Sequence, residues 1–403
     1  MTTLRMIRNM SGGVKGIRYS VEQLNKTITN SVIKNKYGIQ YPVVNNQIAK
    51  FSRKSTSINS GPVNTSINSY KPDQYNIYDI SKRVSINVSG TDAKRYLDHI
   101  VTCDNRTMEQ GTSRKSLVLN PDGTIMGLGI VNKWKAFYSL IMDSENGDSL
   151  MEHLVKNNTV FDVIISKNVI NNMYLVQGEK SVEVIESIMN YLNNNKMERC
   201  KAIKHMNYQT NINFSNQFVP NNSFSVINTP QGFIISLNKV IVNKLFDKLD
   251  LSISNNESYE TNRIETGQPS FIDIKNYNPV EANLHSHFGK NYKYSKRGSL
   301  GIDFIGKEAL FTERGIFKRF KKTRVMMYSC GKGLIPPKDS SIYLNNKKVG
   351  FVTSSTASDH LKCIVSMGYI DLEKTFSTRS FSLAREIIKK VEINGNEYFI
   401  KFL

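Results

Sequence analysis

The chain has 403 residues, enough for two or three domains of ordinary size. Hydrophobic residues make up 39% and aromatics 10%, which supplies a sizeable core and excludes a wholly disordered chain. Lys and Arg number 54 against 34 Asp and Glu, a net charge of +20, yet no stretch approaches the ~18 apolar residues of a membrane-spanning helix.

That charge admits a nucleic acid, an anionic surface or an acidic partner. No recognisable nucleic-acid module accompanies it, so specific nucleic-acid binding is not expected. Runs such as NNNK and LNNKK point instead to a general Asn and Lys bias. Cys103, Cys200, Cys330 and Cys363 show neither zinc-site nor CxxC spacing, and four thiols in so long a chain are no disulfide framework.

Residues 1–70 stand apart. They hold Arg5, Arg8, Lys15, Arg18, Lys26, Lys34, Lys36, Lys50, Arg53 and Lys54 against the single acid Glu22. An Arg-rich, Ser-containing, acid-poor start without an apolar core suits an organelle transit peptide. The polar stretch 52–71, with its Gly-Pro and repeated TSIN, reads as a linker.

From about residue 72 the texture is globular. Val84, Ile86 and Val88 alternate, then Gly90 leads into TDAKRYLDHIV with helical apolar spacing, giving strand, turn and helix. SLVLN, PDGT and IMGLGIV predict a hairpin. Two more strand and helix units follow: MYLVQG with SVEVIESIMNYL, then a hairpin around TPQG with KVIVNKLFDKL. A helix is predicted near KEALFTERG. After about 322 the pattern is β-rich, with hairpin tips at Asn345-Asn346 and Asn394-Gly395.

Common catalytic signatures are absent: there is no GxSxG, no HExxH, no P-loop and no strand-linked GxGxxG. His285 and His287 would share one face of a strand, but nothing around them completes a metal site, and a surface or loop position is expected. Lys318, Arg319, Lys321, Lys322 and Arg324, interleaved with Phe317 and Phe320, would hold an acidic partner or form a solvated linker. Arg263 and Glu265 flank Ile264 and are expected to pair or to bond neighbouring elements. Thr353 and Ser354 would end a strand, offering hydroxyls to a ligand or to a turn.

An ordered series of fragments goes further. It comprises Tyr78-Asp79-Ile80-Ser81, Val88-Ser89-Gly90-Thr91-Asp92-Ala93, SLVLNPDGTIMGLGIV (116–131) and Leu175-Val176-Gln177-Gly178. It continues with Arg263-Ile264-Glu265-Thr266-Gly267, Asn278-Pro279-Val280-Glu281-Ala282-Asn283-Leu284, DFIGKEAL (303–310), Val349-Gly350-Phe351-Val352-Thr353-Ser354-Ser355 and Met367-Gly368-Tyr369. Taken together, these resemble the glycine cleavage system T-protein family, the folate-dependent aminomethyltransferases, over about residues 72–395.

The resemblance implies an α+β fold: a three-lobed ring of two related α+β lobes, with a C-terminal β-barrel-like domain. After the basic transit peptide and linker read from composition (1–70), the implied division is a folate-binding aminomethyltransferase domain (72–320) and the barrel (322–403). It also implies tetrahydrofolate as substrate, lipoylated H-protein as partner, a monomer and no metal; with the transit-peptide-like start, a mitochondrial matrix location is expected. In the family reaction an aminomethyl group on the lipoyl arm gives its methylene to folate, and ammonia is released.

The family's site residues are replaced. Its catalytic aspartate, the second acid of a DD pair, falls on Leu128, beside Gly127. Its pterin-reading glutamate falls on Ile234 and its folate-contacting arginine on Tyr259. A family histidine falls on Lys82, and a strand-end asparagine on Asp143. Asp122 and Asp143 are the candidate substitute acids. A sister branch that serves iron–sulfur assembly carries KGCYxGQE; here Asp303 takes its cysteine position and Lys307 its glutamine position, which sides with the T-protein branch.

Overall fold

The computed structural model describes residues 75–169, 171–192, 211–214, 224–289, 303–313, 316–318, 320–329, 333–375 and 388–403. The expected transit peptide and linker, Cys200, Cys330, Arg319 and most of the Asn-rich stretch near 190–222 lie outside them.

Two antiparallel sheets and a barrel make up the fold. The first sheet has the order β3-β4-β5-β2-β6. Its strands are β2 (Val84–Ser89), β3 (Thr112–Leu119), β4 (Ile125–Lys133), β5 (Tyr138–Ser144) and β6 (Ile164–Lys167), with helices α1 (Ala93–Ile100) and α2 (Gly147–Lys156). The second has the order β1-β7-β10-β9-β8. Its strands are β1 (Tyr75–Asp79), β7 (Asn171–Gly178), β8 (Asn211–Phe214), β9 (Phe224–Thr229) and β10 (Gly232–Asn238), with α3 (Ser181–Leu192) and α4 (Lys239–Lys248).

The two lobes are topological repeats. Each runs strand, helix, three-strand meander, helix, and in each the first strand pairs with the last strand of the meander. In the first lobe the fifth strand, β6, follows its helix directly. In the second that place is taken by β1, which precedes the whole first lobe. The chain therefore threads the two lobes together.

Period-2 alternation gives each sheet two apolar faces. Val84, Ile86, Val88, Val118, Val131, Leu140 and Met142 pack with Leu97 and Ile100 of α1 and Leu150 and Leu154 of α2. Ile77, Tyr174, Val176, Val226 and Ile235 pack with residues of α3 and α4. The opposite faces meet each other: Ile130, Trp134 and Ile141 of the first lobe join Tyr78, Met173, Leu175, Ile227 and Ile234 of the second.

Helix α5 (Asn256–Glu265) and α6 (Phe271–Ile274) follow, then a 3-10 turn (His285–His287) and α7 (Lys307–Leu310). The helix expected at KEALFTERG is thus a single turn. It starts at Gly306, whose φ is +83° and whose absent Cβ would lie 2.5 Å from the Asn120 carbonyl in the β3–β4 turn.

The closed barrel runs β11-β14-β13-β12-β15-β16. Its strands are β11 (Lys322–Ser329), β12 (Ser341–Leu344), β13 (Lys347–Ser358), β14 (Cys363–Asp371), β15 (Lys390–Ile393) and β16 (Asn396–Phe402), with α8 (Leu372–Thr375) after β14. Asn345, Asn346, Asn394 and Gly395 take positive φ at the two predicted tips.

Two buried arginines fix the barrel to the rest. Arg263 donates to Asp273 Oδ2 (2.8 Å), to Glu260 Oε2 (2.8 and 2.5 Å) and to Ser354 Oγ (3.2 Å). Ser354 in turn donates to Asp273. Burial alone would lower the guanidinium pKa, but Glu260 and Asp273 outweigh it and hold the charge. Glu265 is not part of this network; it bonds Ser358. Thr353 and Ser354 lie at a bulge inside β13 rather than at its end, and Thr353 bonds the Met367 carbonyl (3.3 Å). Arg324, 3% exposed, donates to the carbonyls of Ala282 and Gly267 (2.9 Å each).

The expected basic linker is threaded into the structure. Lys318 donates to the Glu308 carbonyl, Lys321 pairs with Glu373, and Lys322 lies over the Tyr277 and Phe351 rings. Phe317 and Phe320 pack on a third cluster with Leu117, Phe271 and Phe288.

His285 and His287 occupy the 3-10 turn, not a strand. His285 is exposed and meets the Phe317 ring, whereas His287 is 8% exposed. Burial, with Lys115 and Arg324 nearby, pushes the His287 pKa down to about 3.

Two outcomes follow from these buried charges. Arg263→Met leaves Asp273 buried without its cation and should cost about 3–5 kcal/mol in a denaturant melt. Arg263→Met and Asp273→Asn should couple strongly in a double-mutant cycle; additive effects would dissolve the clasp. His287 is unprotonated in the native state down to about pH 3. The unfolded chain takes up that proton near pH 6.5, so the contribution is full above that value and is lost as pH falls. Between pH 7 and 5 the loss should be roughly 2 kcal/mol, and the difference between wild type and His287→Asn isolates it.

Candidate active site between the two sheets

Leu128 sits on β4 between Leu117 of β3 and Asp143 of β5. Its side chain packs on the third cluster, beside Phe271 and Leu117. Nothing at this position can accept a proton or hold a charge. Gly127 faces the other way, where an added Cβ would meet Leu150 at 3.6 Å.

Of the two candidate acids, the structure brings one to this position. Asp143 is the direct cross-strand partner of Leu128. Its Oδ2 accepts the Phe271 N–H (2.9 Å) at the first residue of α6. Its other oxygen makes no hydrogen bond. Asp122 lies in the β3–β4 turn, where its Oδ1 accepts from the Thr124 N–H (2.9 Å) and hydroxyl (2.6 Å). Those bonds lower its pKa, and the exposed carboxylate is committed to the turn.

Ile234 is 2% exposed on β10, flanked by Leu175 and Ile227. Tyr259 on α5 packs its ring 5.4 Å from that of Tyr78 and accepts a hydrogen bond from Arg83 Nη2 (3.1 Å). Tyr78 itself meets Ser258 Oγ at 3.3 Å. A guanidinium therefore reaches the Tyr259 position from the β1–β2 turn, a contact that no sequence motif signals. Lys82, next to it, is exposed.

A pterin presents an amide edge with several N–H donors. Ile234, the position expected from the sequence to replace the family's glutamate, lies inside an apolar cluster. Each donor buried against it without a partner would cost ~1–3 kcal/mol. Ile234 and Tyr259 do not supply the glutamate and arginine of the folate-contacting set that the resemblance implies, nor Leu128 its catalytic acid.

Sequence reasoning missed three polar groups on these inner faces. Asn132 Oδ1 and Gln177 Oε1 are buried without a hydrogen-bond partner. Lys115, cross-strand from Ile130, is half-buried with no ion pair or hydrogen bond. A polar residue standing in an apolar-facing register was the available signal.

Asp303 is exposed and Lys307 buried, and Gly306 between them packs on the β3–β4 turn. Among the described residues no group of three His, Cys, Asp or Glu is placed to hold a metal ion. Nor is any described helix long and apolar enough to cross a membrane.

Comparison with known proteins matches this architecture. Residues 71–287 match the GCVT N-terminal domain, and residues 322–398 match the glycine cleavage T-protein C-terminal barrel domain. The aminomethyltransferase of Alkaliphilus oremlandii is 25% identical over 333 residues, covering 78% of this chain and 85% of that protein. That of Francisella philomiragia is 23% identical over 363 residues, covering 88% and 96%. The crystal structure of glycine cleavage system aminomethyltransferase T from Bartonella henselae superposes with a TM-score of 0.64 at 16% identity. It covers 94% of this chain and 95% of its own, a likeness of fold. With two domain matches in the order of the two structural parts, the chain belongs to the glycine cleavage T-protein family.

Proposed function

We propose that the chain is the aminomethyltransferase, or T-protein, component of a glycine cleavage system. In this reading it accepts the aminomethyl group on the lipoyl arm of H-protein and passes the one-carbon unit to tetrahydrofolate with release of ammonia. The observation that carries the reading is Asp143: a carboxylate stands directly across the strand pair from the position of the family's acid, with one oxygen uncommitted. A fixed carboxylate there would orient the amine and balance its developing positive charge.

The positions expected to face the pterin do not offer it the acceptors it would need. That misfit favours a second reading, in which the chain keeps the fold and the H-protein contact without transfer. The net charge of +20 suits an acidic partner in either case. The basic, acid-poor residues 1–70 support a mitochondrial matrix location, which a fluorescent fusion of that segment would test by its co-localisation with a matrix marker.

Calorimetric titration with 5-formyl-tetrahydrofolate and a transfer assay with aminomethylated H-protein separate the two readings. The first predicts saturable folate binding and turnover. Asp143→Asn, which keeps the acceptor for the Phe271 N–H, should then lower kcat by about 100-fold or more, while Asp122→Ala leaves it near wild type. H-protein binding without turnover would select the second reading. Absence of both activities from folded protein would remove the two together.

A further inference from the structure

Two consecutive amides hold two carboxylates. The Phe271 N–H donates to Asp143 Oδ2 (2.9 Å), and the Ser270 N–H beside it donates to Asp273 Oδ2 (2.9 Å). Asp143 is half-buried on β5, whereas Asp273, in α6, is 2% exposed. The Asp143 carboxylate has that one hydrogen bond, so the direction of a single N–H decides which way its second oxygen points. The direction is set by Ser270, because a residue's backbone dihedrals orient the peptide plane that follows it.

Ser270 is pinned by Asp273. Its N–H and its hydroxyl (3.1 Å) both reach Asp273 Oδ2, and its carbonyl accepts the Asp273 N–H (3.1 Å). Asp273 is fixed in turn from outside α6. Arg263 Nη1 donates to Oδ2 (2.8 Å), and the Ser354 hydroxyl of β13 donates to Oδ1. A continuous set of hydrogen bonds thus runs from the barrel, through Asp273 and Ser270, to the carboxylate opposite Leu128. The other tie between α6 and this end of β5, Lys275 to Glu145 (2.7 Å), is open to solvent and holds little.

We propose that Ser354 is a positioning residue for Asp143: through Asp273 and the start of α6, the barrel sets where the uncommitted carboxylate oxygen is aimed. The proposal rests on the reading of Asp143 as the acid of the transfer site. A group that orients an amine works only in the productive geometry, and a misplacement of about 1 Å costs on the order of 100-fold in rate. Losing the Ser354 hydroxyl leaves the Arg263–Asp273 pair in place, so a partial loss of aim is expected. A contact of the same kind supplies the control. Thr261 of α5 and Thr356, two residues further along β13, share a hydroxyl hydrogen bond (2.8 Å), and neither hydroxyl bonds α6.

The test uses the full chain as wild type, Ser354→Ala, Ser354→Thr and Thr356→Val. In the transfer assay with aminomethylated H-protein and tetrahydrofolate, Ser354→Ala should lower kcat about tenfold and leave the KM for H-protein within about twofold. Ser354→Thr keeps the hydroxyl and should rescue kcat, and Thr356→Val should match the wild type. A second readout needs no turnover: the Phe271 amide, followed by NMR in protein carrying nitrogen-15-labelled phenylalanine and assigned by its loss in Phe271→Leu. Asp143→Ala removes the acceptor, and should move that resonance upfield and speed its hydrogen exchange. Ser354→Ala should do the same to a smaller extent, and Thr356→Val should do neither. An unchanged Phe271 amide in Ser354→Ala would overturn the proposal. So would a shifted amide with kcat unchanged, or equal losses of kcat in Ser354→Ala and Thr356→Val, which would show general loosening. Loss of activity in Asp143→Asn with full activity in Ser354→Ala would overturn this proposal alone. Full activity in Asp143→Asn, or a wild type without turnover, would overturn the transfer reading of Asp143 and this proposal with it.

Discussion

The buried guanidinium of Arg263 is the constraint on which the rest of the molecule depends. A charge taken out of water must find an opposite charge and hydrogen-bond acceptors with good geometry, or the native state loses several kcal/mol. Those partners come from three places: Glu260 on its own helix, Asp273 on α6 and Ser354 on the barrel strand β13. Satisfying one side chain therefore fixes α5, α6 and the barrel together. Gly267, with φ +71°, closes α5 and turns its carbonyl to Arg324. Arg324 also holds the Ala282 carbonyl, and Asn283 bonds the Arg324 carbonyl in return. The barrel is thus attached by buried polar bonds whose directionality sets its position.

The two sheets are joined differently. Each is a repeat of the same topology, and each turns one face to its own helices and one to the other sheet. The centre of the interface between them is built from Ile130, Ile141, Leu175, Ile227 and Ile234. The polar groups that remain lie around that apolar centre: Asp143 toward α6, Arg83 at Tyr259, and Lys115 with Asn132 and Gln177 toward the β9–β10 turn. Of these groups, Asn132 and Gln177 each bury an acceptor without a partner, which is costly.

The motifs that identify the family serve mostly the framework. The Arg and Gly of RIETG build the clasp and the helix end. In NPVEANL, Asn278 caps its own turn and Asn283 holds β11. In DFIGKEAL, Gly306 packs on the β3–β4 hairpin. Such residues are held by specific φ angles, buried charges and close backbone approach, which few substitutions satisfy. Ligand-facing positions lack that restraint.

The sequence by itself determined the alternation of strand and helix, the barrel hairpins at Asn345-Asn346 and Asn394-Gly395, and the family. These are local or ordered signals: period-2 patterning, turn chemistry and motif order. Tertiary structure alone decided that Arg263 pairs with Asp273 rather than Glu265, and that His287 is buried in a 3-10 turn. It also decided that Thr353 and Ser354 lie within a strand, that Asp122 is committed to its turn while Asp143 faces Leu128, and that Lys115 stands unpaired. Each of those facts depends on contacts between residues distant along the chain, and a side chain's partners are set by which elements the fold packs around it, a quantity that no local pattern encodes.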